Sequence, residues 1–249
     1  MIRMLFCDID DTMTTHGLIP AETFDALWQA RAVGFRIVPV TGRPAGWCDH
    51  IARMWPVDGV IGENGAFYFR KTRGGIVRAH VFNETERAEN RIKLDRIRDE
   101  VLAKVPGCAI ASDQAYREYD LAVDFCEDVP RLPEHDIKRI VDIFNAHGAI
   151  AKISSIHVNG WFGTYDKLSM TRRYIAEVDG HDFDVQPEDY AFVGDSPNDE
   201  PMFKAFPRSY GVANIKRFLP QLTHQPSHIT QAEGGAGFAE VVHALLASL

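Results

Sequence analysis

The stretch FCDIDDTMT, Phe6 to Thr14, ends an apolar run with three carboxylates within four residues: Asp8, Asp10 and Asp11. Like charges so close repel, and carboxylates are seldom buried without partners. Three other polar clusters could share chemistry with them: TGR (Thr41 to Arg43), the isolated Lys167, and GDSPND (Gly194 to Asp199). Taken singly, each is ordinary turn or cap chemistry. Their meaning depends on the elements that position them.

Ile2 to Cys7 is an apolar run of strand length. Pro20 opens a helix with Phe24, Leu27, Trp28 and Arg31 at helical spacing, and Gly34 ends it. FRIVPV (Phe35 to Val40) is a second strand running into TGR, Pro44 opens a helix to about Trp55, and DGVIG (Asp58 to Gly62) is a third strand. This alternation with short links predicts an α/β core with a parallel, Rossmann-like sheet and right-handed crossovers. Ligands of such sheets bind beyond the carboxyl ends of the strands. DIDDT, TGR and GDSPND each follow a predicted strand.

After Asn64 the pattern changes. AFYFR and IVRAHVF, joined by KTRGG, read as a hairpin. A charged helix spans about Glu84 to Lys104, with Ala88, Ile92, Ile97, Val101 and Val105 as its apolar stripe. Strand-like YDLAVDFC, a helix from Glu134 to Ala146 with Ile137, Ile140, Val141 and Phe144 inward, and strand-like AIAKISS and IHVNGWF complete an α+β unit. The α/β rhythm resumes with a helix from Lys167 to Val178, the strand YAFVG and a last helix from Phe238 to Leu249. The expected partition is a core of residues 1–82 and 161–249 around an inserted cap of residues 83–160.

A net charge of −8 argues against general attraction to nucleic acid or anionic membranes. It leaves room for an anionic small substrate, because local groups or a metal can outweigh the global field. Cys7, Cys48, Cys108 and Cys126 form no CxxC pair and read as thiols in a reducing compartment. Without a signal-peptide pattern or a membrane-length apolar run, the expectation is a cytoplasmic protein, monomeric or dimeric, with a small-molecule partner.

DxDxT, a strand-ending Thr, a Lys and GDxxND, in that order, resemble the haloacid dehalogenase superfamily of phosphatases and phosphotransferases. The insert between TGR and the Lys matches its type II cap. The NGA of GENGAFYF and the stretch SSIHVNGWFGTYDKLS are similar to the type IIB branch of sucrose- and trehalose-phosphate phosphatases and phosphomannomutase. The resemblance implies a Mg²⁺ cofactor and hydrolysis of a small phosphorylated metabolite, a sugar or sugar-acid phosphate, through an aspartyl-phosphate.

Within that resemblance Asp8 matches the nucleophile and Asp10 the general acid/base, whose backbone carbonyl also holds the metal. Thr41 matches the hydroxyl that binds the transferring phosphoryl, and Lys167 the cation that screens it from Asp8. Asp195 matches the main metal carboxylate; Asp199 supports the metal and Asn198 orients the phosphate. Gly42, Arg43 and Asn64 are expected around the substrate, and Asp11, where many relatives have Gly, is expected to shape the turn. In the cap, Tyr119, Asp124, His157, Asn159 and Trp161 are candidates to read the leaving group, although strand alternation would bury some of them. A phosphomutase, a non-catalytic phospho-ligand sensor and a dehalogenase are the alternatives. The full metal set, Asp8, Asp10, Asp195 and Asp199, favours phosphoryl chemistry.

Overall fold

The structure is a computed structural model that describes residues 2–154 and 156–248. Met1, Ser155 at the end of AIAKISS, and Leu249 at the end of the last expected helix lie outside the described residues.

Strand β1 (Met4–Cys7) is apolar and fully buried on both faces. It pairs in parallel with β2 (Arg36–Pro39) on one side and β10 (Tyr190–Gly194) on the other. With β11 (Arg208–Gly211) and β12 (His228–Ile229) the order is β12-β11-β10-β1-β2. Side chains alternate across such a sheet. Leu5 and Cys7 join a core with α1 (Ala21–Ala32) and α7 (Gly234–Leu246), while Met4 and Phe6 join a second core with α5 (Lys167–Tyr174) and α6 (Glu200–Ala205). The strand register sets where the polar clusters emerge. Cys7 lies opposite both Pro39 and Val193, so Asp8, Thr41 and Asp195 come out on one edge of the sheet.

The third expected strand departs from the parallel sheet. β3 (Val60–Gly62) pairs antiparallel with β4 (Phe67–Thr72), which pairs with β5 (Gly75–His80). A single parallel bridge, Val40 to Ile61, joins β3 to the end of β2. Pro39 explains the short contact, because it has no N–H to give and the Asp58 N and Thr41 N bonds fall on either side of it. Between β2 and β3, α2 (Ala45–Met54) packs against the hairpin.

The inserted unit builds its own antiparallel sheet in the order β6 (Ala109–Ile110), β7 (Leu121–Asp124), β9 (His157–Trp161), β8 (Ile150–Ile153). Helices α3 (Glu84–Lys104) and α4 (Glu134–Ala146) share its apolar cluster. Asn83 and Glu86 close a capping box at the start of α3. The inward stripe of α3 is Leu94, Ile97 and Val101, followed by Val105; Ile92 is exposed. Leu94 sits three residues before Ile97 on the same face, whereas Ile92 is a half-turn off it. In α4, Ile143 is buried and Val141 only half-buried, for the same reason. The two-residue β6 has too short a pattern to be read from sequence. α5 ends at Tyr174 and continues as a π-type turn, Ile175–Asp179, and α7 starts four residues earlier than expected, through the glycines of GGAG.

An aromatic joint ties the insert to the core. Tyr119 stacks on His80 with ring centroids 5.9 Å apart, lies beside Phe67 and Phe82, and meets Tyr165 edge-on. Trp161 stacks on Tyr165 at 5.7 Å and is 2% exposed. Burial, then Arg87, Arg78 and Arg173, holds the His80 imidazole down at about 4. An unfolded histidine therefore takes up its proton first as pH falls. Between about pH 6.5 and 4 the unfolded chain binds the extra proton, so stability drops with falling pH by at most about 1.4 kcal/mol per pH unit from this group. Urea titrations at stepped pH should show His80→Phe losing less stability than the wild type on acidification across that window; identical pH dependence in the two proteins would remove His80 as a contributor.

Candidate active site

Lys167 opens α5, whose N-cap Asp166 accepts from Ser169 N and whose Asp166 N is held in return by the Ser169 hydroxyl. The NGA turn presses on this helix start. A Cβ at Gly65, where φ is +105°, would stand 2.0 Å from the Asp166 carbonyl oxygen, so only glycine lets the turn seat the helix. The buried Lys167 Nζ then reaches Asp8 Oδ1 at 2.7 Å and Asp199 Oδ1 at 2.8 Å. Asp199 Oδ2 accepts from Asp195 N at 3.2 Å, an approach that Gly194 permits by having no side chain. Asp195 is held by the Thr12 hydroxyl at 3.3 Å and Asn214 Nδ2 at 3.4 Å.

Oxygens of Asp8, Asp195 and Asp199 lie within 4.8 Å of one another. Burial, with the neighbouring Asp199 and Asp10 and against the pull of Lys167, lifts the Asp8 carboxyl to about 7. Burial and the charges of Asp199 and Asp8 push Asp195 well above the usual carboxylate range. Burial opposes the Lys167 charge, but Asp199 and Asp8 outweigh it and raise its pKa. Three hard-oxygen donors around one ammonium make a donor set that fits a hard divalent cation.

Asp10 turns its side chain elsewhere. Arg43 clasps it, with Nε 3.1 and 3.0 Å from the two oxygens and Nη2 at 2.8 Å. The same guanidinium lies 4.5 Å from the Trp47 ring and 3.6 Å from Glu127. Asp11 sits at φ +58°, which explains a turn residue where glycine would also serve, and its carbonyl accepts from Asn214 Nδ2 at 2.9 Å. Thr41 is fully buried, its hydroxyl accepting from Arg43 N at 3.0 Å.

Besides the approach of Arg43 to Glu127, the insert closes over this edge through Glu63 and Arg117. Glu63, fully buried, accepts from Ala45 N at 2.9 Å and from three successive insert amides, Glu118, Tyr119 and Asp120, at 2.9, 2.6 and 3.1 Å. Burial and then Asp120 lift its carboxyl to about 7, against Arg117 and these amides. Arg117 donates to the Gly42 carbonyl at 3.0 Å while paired with Asp113 at 3.0 Å and Asp120 at 3.1 Å. Asn159 completes the cluster on Asp120 at 2.9 Å. His157 Nε2 stands 2.9 Å from Glu127 Oε2, though not aligned for a hydrogen bond.

Between the sheet edge and the insert lies a cavity of about 40 Å³. Of the residues expected from sequence, Asp8, Asp10, Asp195, Gly42, Arg43, Asn64 and Asn198 line it; Thr41, Lys167 and Asp199 lie in the buried layer behind. His157 and Asn159 reach it from the insert, but Tyr119 and Trp161 belong to the aromatic joint, and Asp124 caps the turn at Cys126, Glu127 and Asp128. Trp161 is therefore not a stacking wall: it shares the face of His157 and Asn159 but lies at the far end of β9, where Tyr165 covers it. Arg43 lines the cavity while its Nε and Nη2 donate to Asp10. Arg117 and Asp113 escape sequence reasoning, because no periodicity or motif marks them within DQAYREYD. The charge of Arg117 is readable there; its partners require the fold.

Removing Lys167 leaves buried Asp8 and Asp199 without their cation. Lys167→Met should cost about 3–5 kcal/mol in metal-free protein, measured by urea unfolding. A loss under about 1 kcal/mol, the scale of an exposed pair, would show that this ammonium does not hold the site together.

The sequence matches the family described as haloacid dehalogenase-like hydrolase over residues 5–117. No curated protein matches the chain. Among solved structures, a Thermoplasma acidophilum protein is 18% identical with a TM-score of 0.75, covering 99% of each chain. The sucrose-phosphatase from Synechocystis, solved with sucrose and phosphate, is 15% identical with a TM-score of 0.68, covering 98% of each chain. A sugar phosphatase of haloacid dehalogenase subclass IIB is likewise 15% identical, with a TM-score of 0.66 and 98% of each chain covered. At such identities the likeness is one of fold, a Rossmann-like core with a cap. Over residues 5–117 the sequence thus matches the haloacid dehalogenase-like hydrolase family, and over the whole chain the fold is similar to that of these solved structures.

Proposed function

We propose that this protein is a Mg²⁺-dependent phosphatase that hydrolyses a small phosphate monoester, a sugar or sugar-acid phosphate, through an aspartyl-phosphate on Asp8. The observation that carries the reading is the buried trio Asp8, Asp195 and Asp199 gathered around Lys167 at the sheet edge, facing a phosphoryl-sized cavity. Asp8 and Asp195, with Asp199 and the Asp10 carbonyl, would hold Mg²⁺, which supplies positive charge to the phosphoryl oxygens.

The chain's own groups do the rest. An Asp8 carboxylate oxygen attacks phosphorus as the ester P–O bond breaks, and protonated Asp10 gives its proton to the leaving oxygen. Asp10, now a carboxylate, takes a proton from water, whose oxygen attacks the phosphorus. The bond to Asp8 breaks, phosphate leaves and the carboxylate is restored. Lys167 offsets the repulsion between Asp8 and the dianion, and Thr41 and Asn198 fix the phosphoryl orientation. Residues 83–160 act as the cap, with His157 and Asn159 facing the phosphoryl cavity. The sugar assignment draws on the similar folds of sucrose-phosphatase and the subclass IIB sugar phosphatase.

With Mg²⁺ and a panel of phosphorylated metabolites, the wild-type protein should release inorganic phosphate, and EDTA should stop the release until Mg²⁺ is returned. Asp8→Asn should abolish turnover with an unchanged circular dichroism spectrum. Near wild-type turnover in that variant would sink the assignment of the nucleophile, and isomerised ester in place of free phosphate would indicate a mutase.

A further inference from the structure

The cavity at the sheet edge has room for a phosphoryl group and little more: its 40 Å³ corresponds to about three waters at roughly 10–15 Å³ each. Any leaving group must lie elsewhere. A second cavity, of about 510 Å³, adjoins the first and falls in the size range of small-molecule sites. Ile9 and Ile19 of the turn region, Trp47, Ile51 and Trp55 of the α2 region, and Tyr116 of the insert wall it. Trp47 is 45% and Tyr116 59% exposed, so it opens to solvent. Asp10 and Arg43 line both cavities, so an ester reaching from one into the other passes beside them.

Proton transfer fixes the direction. The group that protonates the leaving oxygen must lie against that oxygen, and Asp10 stands where the two cavities meet. We propose that the Trp47–Trp55–Tyr116 cavity is the leaving-group site, and that it takes a ring with a flat apolar face. This rests on the phosphatase reading. Two indoles and a phenol offer extended flat surface with few polar groups, which suits a ring better than an open polyol chain. A pyranose and an aromatic ring share that face, and the choice of substrate separates them.

The test compares ethyl phosphate, glucose 6-phosphate and benzyl phosphate, all primary alkyl esters, with Mg²⁺ and phosphate release as the readout. The wild-type protein should show a KM about tenfold lower for at least one ring ester than for ethyl phosphate. Preference for glucose 6-phosphate identifies a sugar ring, and preference for benzyl phosphate an aromatic one. His50→Trp, which fills the cavity from its rim, should remove the preference while leaving kcat/KM for ethyl phosphate within about twofold. Tyr116→Ala should raise the ring-ester KM, and melting curves check that both variants fold. Equal KM values for all three esters, or an equal loss on ethyl phosphate in His50→Trp, would overturn the site while the phosphatase reading stands. Absence of phosphate release from every ester would overturn both.

Discussion

One ammonium among three buried carboxylates is the constraint on which the rest of this structure depends. Lys167 bonds Asp8 and Asp199 at once, and Asp195 lies against both. Such an arrangement would be costly anywhere in a protein interior. It persists because three distant parts of the chain are forced to one edge: β1 and β10 by parallel register, and α5 by the glycine turn that seats its first residue. Much of the core is the frame that keeps these pieces aligned.

The surrounding charges follow the same logic in pairs. Arg43 answers Asp10, and Arg117 answers Asp113 and Asp120 while bonding the Gly42 carbonyl. Each cation therefore has a partner set by the fold, and the insert contributes charge to the core's edge as well as covering it. The aromatic joint and the Glu63 contacts also hold the two units together.

The parts of this arrangement that are legible in the sequence are local. DIDDT, TGR and GDSPND each end a short apolar run, and the alternation of runs and helices suffices to align them. α3 and α4 are legible to their end residues because their polar and apolar positions repeat, though Leu94 shows that a stripe can be misplaced along a helix. Pairing across long separations is beyond such reading. Nothing near Arg43 names Asp10 as its partner, and nothing in REYD reveals that its amides will converge on Glu63. Trp161 misleads for the complementary reason: an indole on the face of His157 and Asn159 looks like a binding wall until Tyr165, outside the strand, is seen to cover it.

Glu63 grips the amides of Glu118, Tyr119 and Asp120, not their side chains. A main-chain grip is indifferent to sequence except for proline, which has no N–H to offer. Glu118 is exposed, so its side chain is free to vary without loosening this contact. This one attachment of the insert is thus uncoupled from the side chain at Glu118, whereas Tyr119 and Arg117 are held by what their side chains touch. For an insert that lines the cavity at the sheet edge, Glu118 is a position at which sequence can drift while the edge keeps its shape.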